Sequence, residues 1–225
     1  MDKKIIIVVL LLSALAFAIG ILMPRGETPK IQAFPWQIEY TENGGTMVFG
    51  LTPGVSTLDQ AEQTLRAEAE ISLFETNDAN RPYVVEAYFD KVNLGGLSAR
   101  MVMVVELSIE EQREMYQHGT RISSLGSGTH KVTLQAQDVE RVRRAPIASI
   151  AYLPRVRLEK AVIEKRFGQP EQRFMEQDSH TEHWLYPQKG LDIALDSNGN
   201  AVLQYVAPAR FTTLQKPLLP RPEQP

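Results

Sequence analysis

Residues 49–65 read FGLTPGVSTLDQAEQTL and residues 150–165 read IAYLPRVRLEKAVIEK. The fold turns on whether these are two versions of one unit. Each begins on an apolar, strand-like stretch, passes a Pro-containing turn and enters an amphipathic helix. Pro53 and Val55 fall against Pro154 and Val156 at one offset. Leu58 and Ala61 fall against Leu158 and Ala161 after a one-residue adjustment. The order of elements downstream also agrees, a helix followed by a meander of strands, and such agreement is the mark of an internal repeat. The sequence therefore predicts an α+β protein with two helix-plus-antiparallel-meander units, residues 34–120 and 147–211. Each helix should cover the apolar face of its own meander, the nearest available partner. Leu58, Ala61 and Leu65 would face inward in the first unit, and Leu158, Ala161, Val162 and Phe167 in the second. Two such units side by side would leave a groove or an exposed sheet face between them.

Outward from these stretches, the punctuation is strong. Glu42-Asn43-Gly44-Gly45 joins two short strand candidates, 36–41 and 46–51, as a hairpin turn. Strands are expected over 70–75, 82–92 and 97–107. Ser108-Ile109-Glu110-Glu111 is a capping-box pattern opening a helix that ends at Gly119. Residues 121–146 read as a connector, because Ser123, Ser124, Gly126, Ser127 and Gly128 crowd its first part. A short strand over 131–137 and a polar helix over 137–144 lie within it. In the second unit Gly168 and Pro170 stop the helix. Strands follow over 172–176, 183–186, 191–196 and 201–207. Beyond Phe211 the chain carries Pro217, Pro220, Pro222 and Pro225, which predicts a mobile Pro-rich tail over 212–225.

At the other end, Ile5 to Met23 is a run of 19 residues without a charge. About 20 apolar residues cross a bilayer as a helix. Lys3 and Lys4 precede the run, and Pro24, Arg25 and Gly26 end it. This predicts a cytoplasmic stub over 1–4, a signal anchor with its transmembrane helix over 5–23, a tether over 24–33 and a body in the bacterial periplasm. A cleaved signal peptide is the alternative, since Ala14-Leu15-Ala16 and Ala16-Phe17-Ala18 both fit a small-x-small cleavage site. Either reading exports the body.

Composition narrows the chemistry. The chain has no cysteine, which excludes disulfides, thiol nucleophiles and cysteine metal sites. Its net charge of -3 gives no clustered basic face for nucleic acid. Asp178-Ser179-His180-Thr181-Glu182-His183 gathers ligand-type residues, but a spacing of three on a strand does not put His180 and His183 on one face. It reads as a solvated hairpin, with no metal and no cofactor expected. Ser123 to Gly128 lacks a Walker lysine and does not fit a nucleophile elbow. Met101 and Met103 alternate with polar and small apolar residues, a pattern that serves either a core or a methionine-lined recognition surface. Trp184 and Tyr186 share one face of their strand and could pack inside or anchor a partner.

Three short motifs carry a family resemblance: Pro53-Gly54-Val55-Ser56 at a helix entry, Phe167-Gly168-Gln169-Pro170 at a helix exit, and Trp184-Leu185-Tyr186 on a following strand. In these the chain resembles the BamE/SmpA-like group of small bacterial envelope proteins, whose relatives include tandem-repeat inhibitors of β-lactamase. The first unit lacks the Gly-x-Pro exit, and Arg155-Val156-Arg157 replaces the entry in the second. The resemblance implies a non-catalytic envelope protein that binds another envelope protein, in assembly or maintenance. Trp184, Tyr186, Met101 and Met103 are the candidate partner-binding residues. A binding module for a small ligand, peptide or glycan is the second expectation, and an enzyme the third.

Overall fold

The computed structural model describes residues 34–79, 81–126, 128–176 and 179–218. All of them fall in one compact unit, Gln32–Pro225. Local chemistry fixes its helices. The Thr57 hydroxyl accepts from the Gln60 amide while the Gln60 side chain accepts from the Thr57 amide, a capping box that opens α1, Leu58–Leu65. Ser108 and Glu111 do the same for α2, Ile109–Gln117. Next come α3, Ala136–Arg144, and α4, Lys160–Phe167, which stops at Gly168 with positive φ. A one-turn helix, α5, spans Thr212–Gln215.

Strands β1 (Ile38–Tyr40) and β2 (Thr46–Val48) form a separate hairpin. The first half of the chain then supplies β3 (Glu70–Glu75), β4 (Tyr83–Leu94), β5 (Leu97–Val105), β6 (Arg121–Ser124) and β7 (His130–Thr133). The second supplies β8 (Ile147–Pro154), β9 (Gln172–Glu176), β10 (Thr181–Tyr186), β11 (Leu191–Leu195) and β12 (Ala201–Val206). These ten strands make one antiparallel sheet in the order β6-β7-β3-β4-β5-β8-β12-β11-β10-β9.

The two-unit expectation is corrected by the seam at the centre of this sheet. β5 and β8 pair antiparallel from Ala99↔Pro154 to Val105↔Ile147, so the two meanders are one continuous sheet rather than two bodies. The physical reason is that β5 and β8 would each otherwise expose a long apolar edge, and pairing removes both edges at once. The expected connector is corrected as well. Arg121–Ser124 and His130–Thr133 form a hairpin that extends the sheet beyond β3, and α3 packs on α1. The Gly-rich composition there makes a turn, with Gly126 and Gly128 at positive φ.

One face of the sheet is covered by helices. Register carries Ala87, Met103, Ile150, Tyr205 and Leu191 along one row of that face. They share a core with Leu58 and Ala61 of α1, Met115 of α2, Val142 of α3, and Ile163 and Phe167 of α4. The Tyr205 hydroxyl donates to the Pro35 carbonyl at 2.8 Å, tying the segment before β1 to the same layer. Within α4, the expected inward face is corrected. Ala161 is exposed and Val162 is 41% exposed, whereas Ile163 and Phe167 are buried. The helix starts at Lys160 rather than Leu158, and its buried stripe is the i, i+4 pair 163/167.

The opposite face is open except where the C-terminal segment crosses it. Phe211, Leu214 and Leu218 pack on Leu185 and Val206 as a second, smaller cluster. Residues 212–218 therefore belong to the fold, against the expectation of a mobile tail; 219–225 lie outside the described residues.

The membrane, transmembrane-helix and signal-anchor expectation is corrected to this extent. Among the described residues no helix is long and apolar enough to cross a membrane. The expected span Ile5–Met23, the stub before it and the tether after it lie outside the described residues.

Candidate binding groove

The open face carries a groove of about 1510 Å³. Its floor crosses the sheet from Val104 of β5 through Ser149 of β8 and Gln204 of β12 to Asp192 of β11 and His183 of β10. One wall is the loop before β4, with Arg81, Asp78 and Asn77. Backbone bonds tighten this loop, with Thr76 N–H donating to Pro82 O at 2.8 Å and Arg81 N–H to Asp78 O at 3.0 Å. The other wall is the C-terminal segment, which contributes Arg210, Leu214 and Lys216. Arg210 pairs with Glu106 at the end of β5, and Gln215 donates through Nε2 to Gln172 Oε1 on β9 at 3.1 Å. The segment is thus pinned at both ends of its run.

The chemistry of the floor lies in one pair. The register Leu185↔Asp192 and His183↔Ala194 makes His183 and Asp192 diagonal neighbours on the open face. His183 Nδ1 lies 2.9 Å from Asp192 Oδ2. A carboxylate only accepts, so Nδ1 carries the proton and Nε2 is the ring's unshared position. Nε2 makes no hydrogen bond among the described residues. His183 is 7% exposed and Asp192 2%. Asp192 Oδ1 is buried without a hydrogen-bond partner among the described residues. Burial alone would lower the His183 pKa. The bond to Asp192, the charge of that carboxylate and Glu176 outweigh it, and hold the imidazole above its ordinary 6.5. His183 is therefore biased toward the imidazolium, which would present an N–H to the groove.

Beyond Val104 the same face continues into a smaller recess lined by Glu70, Ser72, Glu86, Tyr88 and Lys131. Burial raises the Glu86 carboxyl above its usual range, against the pull of Arg81.

The residues picked out from sequence for partner contact lie elsewhere. Met101, Met103 and Trp184 are fully buried and Tyr186 is 3% exposed, all on the helix face. The Arg173 guanidinium stacks 4.1 Å over the Trp184 ring, and the Tyr186 hydroxyl donates to Gly168 O at 2.9 Å. These side chains build the core and offer no surface to a partner. The expected solvated hairpin over 178–183 is corrected at its last residue. His180 sits exposed in the turn at positive φ, but His183 is inside the sheet. The pair with Asp192 was missed because the two residues are read in different strands. The available signal was Asp192 itself, a charge in the otherwise apolar run Leu191-Asp192-Ile193-Ala194-Leu195. His130 also has a partner not foreseen. Glu75 Oε2 lies 2.8 Å from its Nδ1 and accepts from the Tyr116 hydroxyl at 3.0 Å.

The chain matches no protein-family model, no curated protein and no solved structure at a significant level.

Proposed function

We propose that this protein is a non-catalytic binding protein that holds an extended segment of another polypeptide along its open sheet face. The dimensions of the groove carry this reading. At about 1510 Å³ it exceeds the roughly 300–1,000 Å³ of a small-molecule pocket. Its lining runs over five adjacent strands, β5 to β10 in sheet order. Four strand spacings of about 4.8 Å make a length of about 19 Å. An extended peptide rises about 3.3 Å per residue, so about six residues fit. The floor offers small and apolar side chains, Val104, Ala148 and Val206, with Ser149 and Gln204 between them for hydrogen bonds. His183 has the partner a general base needs, but no nucleophile is hydrogen-bonded to its Nε2 among the described residues, and this favours binding over catalysis. The motif resemblance to the BamE/SmpA-like group favours a partner in the bacterial envelope, and a periplasmic setting is part of that same reading.

The test is groove filling. Peptides of about six residues selected on the full chain, a length set by the strand rise, should lose at least tenfold in affinity on Ser149→Trp. Lys165→Trp, on the exposed side of α4, should leave affinity unchanged. Both variants are checked for an unchanged melting temperature. Selected peptides that ignore Ser149→Trp, or a selection that returns no binder, would reject the reading.

A further inference from the structure

We propose that the β10 end of the groove is a recognition site for the free C-terminal carboxylate of the bound peptide, received by His183. This rests on the groove being a peptide site, and adds which end of the peptide is read and by what group.

Three independent observations converge. First, the groove is closed at this end. His183 is on the last strand that lines it, and beyond lies only β9. There the C-terminal segment is tied across the face by Gln215 Nε2 donating to Gln172 Oε1. Gln172 stands opposite Leu185, which in turn stands opposite Asp192, so the tie meets the row of Asp192, two residues along β10 from His183. An extended chain lying across the strands along the Asp192 row meets that tie and must end or turn out.

Second, the closed end holds a built donor. His183 is more than nine-tenths buried, its Nδ1 is committed to Asp192, and its Nε2 has no partner among the described residues. Asp192 fixes the ring orientation and the tautomer, as a second-layer carboxylate does behind any positioned histidine. What remains for Nε2 is an acceptor brought by the ligand. A carboxylate is the acceptor that completes a charge-assisted bond to an imidazolium.

Third, the charges at this end suit an anion. Lys216 follows Gln215, lines the groove, and makes no ion pair among the described residues. Arg210 is also in the wall but is matched by Glu106. The acidic wall residue Asp78 belongs to the loop before β4, at the other end of the row, with Arg81. The facing charges around His183 are Asp192 on β11 and Glu176 on β9. With the imidazolium formed, the His183–Asp192 pair is neutral and Lys216 offsets Glu176, so no net negative charge opposes an anion here.

The experiment uses the full chain and one peptide taken from a selection with free C-termini. The peptide is made as the free acid, as the C-terminal amide, and with three residues appended. Binding is read by fluorescence anisotropy near pH 6, where a histidine held above its ordinary value is mostly protonated. Amidation and extension should each weaken binding at least tenfold. His183→Asn keeps a donor for Asp192 but lacks Nε2, and should bind acid and amide alike. If acid and amide bind the unaltered chain equally, the carboxylate site is rejected while the peptide groove stands. If no form binds, the groove reading falls and this one with it. The comparison of acid with amide needs no variant, so a His183→Asn chain that failed to fold would not remove the test.

Discussion

Replacing His183 with Leu leaves the Asp192 carboxylate 2% exposed, with neither oxygen hydrogen-bonded by the described residues. Opposite charges about 4 Å apart are worth about 4 kcal/mol at an effective dielectric near 20. Removing one partner of a buried pair costs about 3–5 kcal/mol, because the other charge stays behind. His183→Leu should therefore cost about 3–5 kcal/mol near pH 6, and Asp192→Leu should cost less, since a lone histidine can give up its proton. The double variant, His183→Leu with Asp192→Leu, removes both charges from an apolar neighbourhood of Leu185, Ala194 and Val206. It should return to within about 1 kcal/mol of the unaltered chain, or exceed it. Urea melts followed by tryptophan fluorescence give all four corners of the cycle, with equal m-values as the check on two-state behaviour. A single His183→Leu costing under about 1 kcal/mol, or a double variant as unstable as the two singles added, would refute a buried, coupled pair.

The pair also sets a pH dependence. The His183 pKa is raised in the folded state, so its stabilisation is fully present below the unfolded value near 6.5 and fades as pH rises through the folded value. The stability of the unaltered chain relative to the double Leu variant should fall on going alkaline; a difference that grew would contradict the assignment. Gly190→Ala should cost about 3 kcal/mol or more in a urea melt. Gly190 has φ 62°, and a Cβ there would lie 2.0 Å from the Val206 carbonyl oxygen, a backbone atom that cannot step aside. On α4, Ile163→Ala should cost about 2–5 kcal/mol, while Val162→Asp should stay within about 0.5 kcal/mol by thermal melt, reversing what the repeat pattern implies.

Local order was legible in the sequence. The helix over 58–65 and the strands over 70–75 and 172–176 coincide with α1, β3 and β9, because caps, turns and apolar runs declare themselves within a few residues. The helix stop at Gly168 was equally plain. What failed was everything decided by pairing across distance. The β5–β8 seam joins strands that the chain separates by α2, a hairpin and α3, and no local pattern distinguishes two strands that meet from two that face solvent. The Gly/Ser turn at 123–128 was mistaken for a linker because a hairpin turn and a linker have the same composition. The groove shows both sides of this. The strands of its floor were legible as apolar runs. Its wall depends on Phe211, Leu214 and Leu218 folding back over β10 and β12, which a Pro-rich composition argues against. Trp184 and Met101 drew attention as large, conspicuous side chains, yet size is what fits them for the core.

The central seam bears on how the chain is made as much as on its final form. β4 and β5 can pair as soon as both have left the ribosome, since a short turn at Gly95-Gly96 joins them. The far edge of β5 is then a bare ladder of amides and carbonyls flanked by Met101, Met103 and Val105. It stays bare until β8 emerges, and β8 is not flanked on its own far side until β12, the last strand of the sheet to be synthesised. During that interval the growing chain is an open template for any extended polypeptide nearby. A partner that caps edges, or a rate of synthesis that shortens the wait, would matter more to the yield of this protein than the strength of any single contact in the finished sheet.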